Sequence, residues 1–348
     1  MRDPLLVRAL LRLYPARWRD RYGEEFAALL ADMTASASRL ARIWVVADAV
    51  IGGIDTRLRF IRGEALPGQG HATLMRAVRA LAGYVAAVTG LRQLRRCAYR
   101  VYARKLRGQL KGRPVPRHVG LIMDGNRRWA RQRGLASVSL GHKYGAEHAE
   151  EVLGWCEKIG IRHVTVFMCS AENLAQRDSA EVEYLMRVIE EFAAGKLAEA
   201  PSWQVHIAGS LDILPDRTAR ALKEAVEASR DCGSGRHVTL AVGYGGRQEV
   251  IDALRALLYE HAEQGATLAE VAASIAPGDI ARHLYTAGQP DPDLVIRTSG
   301  EQRLSNFLLW QSAYSELYFC EAYWPAFREI DLLRALRSFA ARQRRYGA

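Results

Sequence analysis

Apolar positions change their period along this chain, and the change falls just after residue 113. Before it the spacing is helical. Leu5, Leu6, Val7, Leu10, Leu11 and Leu13 recur at near-helical intervals, and Tyr22–Met33 repeats the pattern, so two or three helices are predicted over residues 1–62. Ala65-Leu-Pro-Gly-Gln-Gly70 reads as a linker, and residues 74–111 as a basic, Ala-rich amphipathic helical stretch. After Pro114 and Pro116, short β-rich runs alternate with helical windows. Strands are predicted at Val119–Met123, His163–Met168, Trp203–Ala208, His237–Val242, Leu294–Arg297 and Leu317–Phe319. Helices are predicted near Gly145–Ile159, Ala180–Glu199, Asp216–Arg230, Arg247–Gln264 and Asp331–Arg345. Such alternation implies an α/β fold, a mainly parallel six-stranded sheet flanked by helices. In sheets of this kind ligands sit beyond the carboxyl ends of the strands, so the loops there are where chemistry belongs. The expected organisation is a helical N-terminal extension (1–64), a basic linker with amphipathic helices (65–112) and a catalytic domain (113–348).

Composition narrows the class. With 348 residues, 49% of them apolar and 25% charged, the chain can bury a large core, which excludes a disordered, collagen-like or disulfide-stapled chain. The net charge of +11 favours polyanion partners, but it is unevenly placed. Residues 1–117 carry 23 Lys and Arg against 8 Asp and Glu, while residues 118–348 carry 26 against 30. No acidic residue occurs from Ala65 to Arg117. The plain reading of that stretch is a solvated helix leading into the main domain, and the alternative is contact with an anionic membrane surface, which such a basic face suits. No nucleic-acid motif accompanies the charge, so a nucleic-acid partner is not expected. Cys97, Cys156, Cys169, Cys232 and Cys320 form no CxxC pair or Cys/His cluster, which argues against a zinc site or disulfide framework. The start lacks the apolar core of a signal peptide. The apolar stretches Ile43–Ile54 and Ala80–Leu91 fall short of the ~20 residues that cross a bilayer. A cytoplasmic chain is expected, with peripheral contact at the inner face of the plasma membrane through its front segment.

Three loops hold candidate chemistry. In Met123-Asp124-Gly125-Asn126-Arg127-Arg128-Trp129, a strand ends at Asp124, Gly125 permits a tight turn, and a helix begins near Arg127. Helix N-terminal amides and two Arg make an anion site, and Asp124 would hold a divalent cation bound to the same anion. The second loop is Ser170-Ala171-Glu172-Asn173-Leu174, followed by Arg177; helix capping is the competing explanation. The third runs from Asp293 through Arg297, Gly300, Arg303 and Ser305 to Asn306, and its composition suits a second phosphate-type anion. Asp291 and Asp293 are better explained by a Pro turn than by metal binding. Gly243-Tyr-Gly-Gly246 is a tight turn. Two anion sites at one sheet edge, with one acidic residue suited to Mg²⁺, point to joining or exchanging phosphorylated substrates. Neither GxGxxG, GxxxxGK[ST] nor an Asp-Asp pair occurs.

The segments HVGLIMDGNRRWA, SAEN, GYGGRQEV and DLVIRTSGEQRLSNFLLWQSAYSELYF resemble the cis-prenyltransferase (isoprenyl transferase) family, in order, over about residues 95–348. They are most like actinobacterial short-chain Z-isoprenyl diphosphate synthases of the (2Z,6E)-farnesyl diphosphate type. The resemblance implies a homodimer, a hydrophobic tunnel, and Mg²⁺-dependent condensation of isopentenyl diphosphate with an allylic diphosphate, geranyl or farnesyl. The alternatives are a long-chain undecaprenyl or decaprenyl synthase for a cell-wall lipid carrier, and a non-catalytic scaffold subunit. By position, Asp124 resembles the catalytic Mg²⁺ aspartate, with Glu316 as the second Mg²⁺ carboxylate. Gly125, Asn126, Arg127 and Arg128 resemble the allylic diphosphate cradle, with Trp129 and His142 beside it. Ser170, Ala171, Glu172 and Asn173 match the SxEN element, in which Asn173 is the implied proton acceptor. Arg177 needs a one-residue shift to match. Arg297, Arg303, Leu304 and Ser305 resemble the isopentenyl diphosphate clamp, and Arg345-Tyr346-Gly347 the element that reaches the partner's site. Met168 and Leu174 stand where chain length is set; Leu174 replaces a usual Trp, and Met168 a usual small residue. Gln302 replaces a frequent His. Ala136-Ser-Val-Ser-Leu140 lacks an Arg that many long-chain members carry there.

Overall fold

The computed structural model describes residues 91–195 and 202–342, with scattered positions among the first 27. The chain divides into two compact units, Met1–Val101 and Tyr102–Ala348. The helices expected over residues 1–62 lie almost wholly outside the described residues, as do the Ala65–Gly70 linker, residues 74–90 and Arg345-Tyr346-Gly347.

The second unit is built on six strands: β1 (His118–Ile122), β2 (His163–Ser170), β3 (Gln204–Ala208), β4 (His237–Tyr244), β5 (Leu294–Arg297) and β6 (Glu316–Phe319). All six predicted strands are present, with ends moved by one or two residues. The order is β3-β4-β2-β1-β5-β6, and every neighbouring pair is parallel. Because β1 has β2 on one side and β5 on the other, the chain reverses its direction of winding at β1. That is where an open parallel sheet leaves a crevice at its carboxyl edge.

Strand alternation gives the sheet two unlike faces. One face is apolar from β3 to β5: Val119, Leu121, Val164, Val166, Val205, Val238, Leu240 and Ile296 are all buried there. Helices cover the sheet. Leu140–Ile159 (α3) packs on Ser179–Ala194 (α5), which packs on Asp216–Ala228 (α6), and α6 lies on β3. The other face changes character along the strands. It starts with His118, His163 and His237 in register, continues through Thr165 and Thr239, and ends in Ile122, Phe167 and Ala241. Phe307 stacks on Phe167 at 4.8 Å and joins Tyr244 in the apolar cluster above that end.

The remaining helices are Leu91–Leu110 (α1), Asn126–Arg133 (α2), Ala171–Gln176 (α4), Gly246–Glu263 (α7), Leu268–Ser274 (α8), Pro277–Ala281 (α9) and Glu329–Ala341 (α10). On α1, Ala103, Leu106 and Leu110 are buried while Arg104 and Lys105 are exposed, the amphipathic split its sequence predicts. Arg334 Nε donates to Tyr102 OH at 3.2 Å and Arg107 pairs with Glu329, which ties α1 to α10. Among the described residues no helix is long and apolar enough to cross a membrane.

Candidate active site

The chain leaves β1 at the sheet's carboxyl edge and turns at Asp124. The turn is pinned through Asp124 O, which accepts from Thr298 Oγ1 at 2.7 Å and from Trp324 N at 3.0 Å. Gly125 then takes φ 101°, and a Cβ there would meet Tyr323 Cδ1 at 2.5 Å, so both conformation and space require glycine. The Asp124 carboxylate accepts from Arg297 Nη2 at 2.8 Å and from Arg128 Nη2 at 3.2 Å. Burial works against its ionisation. Hydrogen bonds from Arg297 and Ser299, with the charges of Arg297 and Arg128, outweigh that and hold the carboxyl below its usual range.

Arg297, only 4% exposed, closes β5. Its other terminal nitrogen donates to Arg303 O and Ser305 Oγ, both at 2.6 Å. Arg128 donates to Ser299 Oγ at 2.7 Å and Glu301 Oε1 at 3.2 Å, and Arg303 Nη1 donates to Glu301 Oε2 at 2.5 Å. Ser299, Ser305, Asn306 and Leu308 all have positive φ, so the loop after β5 is locally strained at the functional edge.

The N-terminus of α2 faces this edge, where the first amides of a helix lack intrahelical partners. It is seated by two glycines four residues apart on α3. A Cβ on Gly141 would lie 2.3 Å from Asn126 O, and one on Gly145 would lie 2.7 Å from Asn126 Oδ1. Asn126 Oδ1, Arg127 Nε and Trp129 Nε1 are buried with no hydrogen-bond partner among the described residues. Such orphaned groups beside a crevice are what a polar ligand would satisfy.

A second basic group lies beside α2. Arg177 Nη1 is 3.4 Å from His142 Nε2 and 3.2 Å from Glu181 Oε1; His142 Nε2 is also 3.2 Å from that oxygen, and Arg127 Nε is 3.6 Å away. Arg177 is therefore brought to His142 despite its shifted position in sequence. Burial, followed by the Arg177 charge, pushes the His142 imidazole below its ordinary pKa.

Ser170 caps α4 by accepting from Asn173 N at 3.0 Å, so the capping explanation holds for that side chain. Glu172 accepts from Asn306 Nδ2 at 2.6 Å, and Asn306 Oδ1 and O accept from Arg247 N and Gly246 N. This joins the loops after β2, β4 and β5. Leu304 packs on the Phe307 cluster. Ala171 opens α4 and Leu174 is half-buried within it. Met168 is half-buried at a bulge: Phe167 pairs with Ala241 and Cys169 with Val242, which leaves Met168 as the extra residue on β2.

Glu316 is placed apart from the other site residues of this chain. Glu316 does not join Asp124 within the chain. It opens β6 opposite Leu294, at the amino end of the sheet, while Asp124 lies past Ile122 at the carboxyl end; Glu316 pairs with Arg342 instead. The parallel direction of β6 fixes this separation. The second carboxylate that the fold brings to Asp124 is Glu301, through their shared Arg128. Glu301, Glu181, Gly141, Gly145, Tyr323 and Trp324 had no role assigned from sequence. The spacing of Gly141 and Gly145 was the available signal, since residues four apart share a helix face.

Mg²⁺ fits this edge. Asp124 offers an ionised carboxylate that remains partly exposed. Among the described residues no three His, Cys, Asp or Glu side chains converge to hold a metal alone, so a cation here would take further oxygens from a ligand, as Mg²⁺ does with phosphates.

A prenyltransferase family model, described as an undecaprenyl diphosphate synthase, matches residues 122–347. An isoprenyl transferase of Streptomyces fradiae is 70% identical over 252 residues, covering 72% of this chain and 97% of the relative. A (2Z,6E)-farnesyl diphosphate synthase of Mycolicibacterium smegmatis is 49% identical over 257 residues, covering 73% and 97%. Among solved structures, lavandulyl diphosphate synthase from Lavandula x intermedia, in complex with dimethylallyl diphosphate, is similar with a TM-score of 0.62 at 35% identity, covering 67% of this chain and 99% of that one.

Proposed function

This chain is a member of the cis-prenyltransferase family, an isoprenyl transferase, and we propose that it joins isopentenyl diphosphate to geranyl or farnesyl diphosphate to give a short-chain Z-isoprenyl diphosphate such as (2Z,6E)-farnesyl diphosphate. The observation that carries the chemistry is the Asp124 carboxylate held between Arg297 and Arg128 at a helix N-terminus. The short product is supported by relatives bearing that activity in their names.

Two anions must be brought within bonding distance, and their repulsion has to be offset. The α2 amides with Arg127, Arg128, Arg177 and His142 cradle the allylic diphosphate. Arg297, Arg303 and Ser305 hold isopentenyl diphosphate. When the allylic C–O bond breaks, its electron pair leaves on the diphosphate, and these donors stabilise that growing charge. The new C–C bond forms to isopentenyl diphosphate, whose C2 proton passes to the Asn173 amide or to the departing diphosphate. Asp124 would hold Mg²⁺, which neutralises diphosphate charge when bound. The growing apolar chain enters the sheet–helix layer, away from water that would quench a cation. We also assign a homodimer, a cytoplasmic location and a lipid-facing role for the basic front segment.

The test is incubation of the full chain with labelled isopentenyl diphosphate, Mg²⁺ and each allylic primer. One or two additions with Z geometry are expected. Chains of many units, or no product from any primer, would refute the reading.

A further inference from the structure

Glu181 is an acidic residue in a place that has to bind anions. It is the third residue of α5, whose start is fixed by Asp178 accepting from Ala180 N at 2.9 Å. A single oxygen, Oε1, lies 3.2 Å from Arg177 Nη1, 3.2 Å from His142 Nε2 and 3.6 Å from Arg127 Nε. The Glu181 side chain is only 11% exposed. These three basic groups belong to the cradle proposed above for the allylic diphosphate, and the inference rests on that reading.

Cations drawn out of water need an anion close by, or their desolvation is uncompensated. Within the chain, Glu181 supplies one negative charge to two guanidiniums and an imidazole. It does so incompletely, because Arg127 Nε still lacks a hydrogen bond. A diphosphate brings more charge and more acceptor oxygens, so it can take these donors from Glu181. The carboxylate then sits beside an anion of its own sign, in a setting only partly screened by solvent. Substrate binding bears that repulsion, and so does the diphosphate left after condensation.

We propose that Glu181 is a resident counter-anion that the allylic diphosphate displaces, and that by competing for Arg127, Arg177 and His142 it hastens release of the diphosphate product. Binding and release are thereby balanced by one carboxylate opposite the α2 N-terminus. Glu181 is a positioning residue: it acts through the basic groups and not on the reacting carbons.

The test is calorimetric titration of the full-length protein with inorganic diphosphate and Mg²⁺, alongside steady-state kinetics. Glu181→Gln should bind diphosphate about tenfold tighter and show stronger product inhibition, with kcat and the allylic KM both lowered. Glu181→Asp, which keeps the charge but withdraws it by one methylene, should fall within about threefold of the wild type on the tighter side. A purely structural role has the opposite sign: a lower Tm, weaker diphosphate binding and a higher KM. That result, or unchanged diphosphate affinity in Glu181→Gln, overturns the proposal. If Glu181→Gln does not fold, absence of any tightening in Glu181→Asp overturns it. Arg177→Gln separates the two layers of inference. Wild-type and Arg177→Gln proteins that bind diphosphate equally refute the cradle, and the role of Glu181 falls with it.

Discussion

Asp124 shows how much one side chain depends on neighbours far away in sequence. Its charge is maintained by Arg297 and Ser299, more than 170 residues on, and by Arg128 four residues away. Asp124→Ala should lower turnover on the order of 1,000-fold, as measured by radiolabel incorporation. The fold should survive. Arg297 keeps Arg303 O and Ser305 Oγ as acceptors, so its buried charge is not left wholly uncompensated. Activity within tenfold of wild type would remove Asp124 from the mechanism. Asp124 and Arg128 stand in one loop and so were visible together in the sequence, but the turn at Gly125, not helical spacing, brings them into contact. The partners Arg297, Thr298 and Ser299 were not visible there, because they come from the end of a strand added to the other side of β1 and from the loop after it.

At the scale of elements, the bulges opposite one another in β2 and β4 stand out. Met168 is the extra residue on β2, and Gly243 the extra one on β4, with φ +60° and a Cβ position only 3.1 Å from Ser210 O. Bulges re-aim side chains near active sites. Here they lie two residues before Ser170 and two before Gly245. Met168 carries a bulky, adaptable thioether at that point. Met168→Ala should open space in the sheet–helix layer and lengthen the product by at least one isoprene unit, read by chromatography of the dephosphorylated alcohols. An unchanged product would place the length limit elsewhere. Strand positions could be predicted because buried parallel strands are continuous apolar runs. The bulges could not, since a register shift depends on two strands together. The same holds for α3, which presents Gly141 and Gly145 to Asn126.

At the scale of the whole sheet, one face has a polar end and an end that carries the candidate site. At the amino edge, His163 stacks on His237 at 4.6 Å, and His206 Nε2 lies 3.1 Å from His237 Nδ1. Burial holds His118 and His163 at about 4, below the ordinary 6.5, with neighbouring rings adding to the effect on His163. The unfolded chain therefore binds more protons than the fold between pH 6.5 and 4, and stability falls as pH drops through that window. For His118, which is 1% exposed, the loss by pH 4 is about 3 kcal/mol. Urea midpoints measured from pH 7 to 5, above most carboxylate titration, should fall steadily, and His118→Gln should flatten the slope. A pH-independent midpoint would show that these rings titrate normally in the fold. The sequence determined the strands, most of the helices among the described residues, the loops where candidate chemistry lies and the family, because each depends on local periodicity or on contiguous residues. Tertiary structure decided which side chains meet. It put Glu301 near Asp124, sent Glu316 to the other end of the sheet, brought Arg177 to His142 and set Glu181 among Arg127, His142 and Arg177. Strand order and parallel direction make those choices, and they arise from long-range pairing that no local stretch encodes.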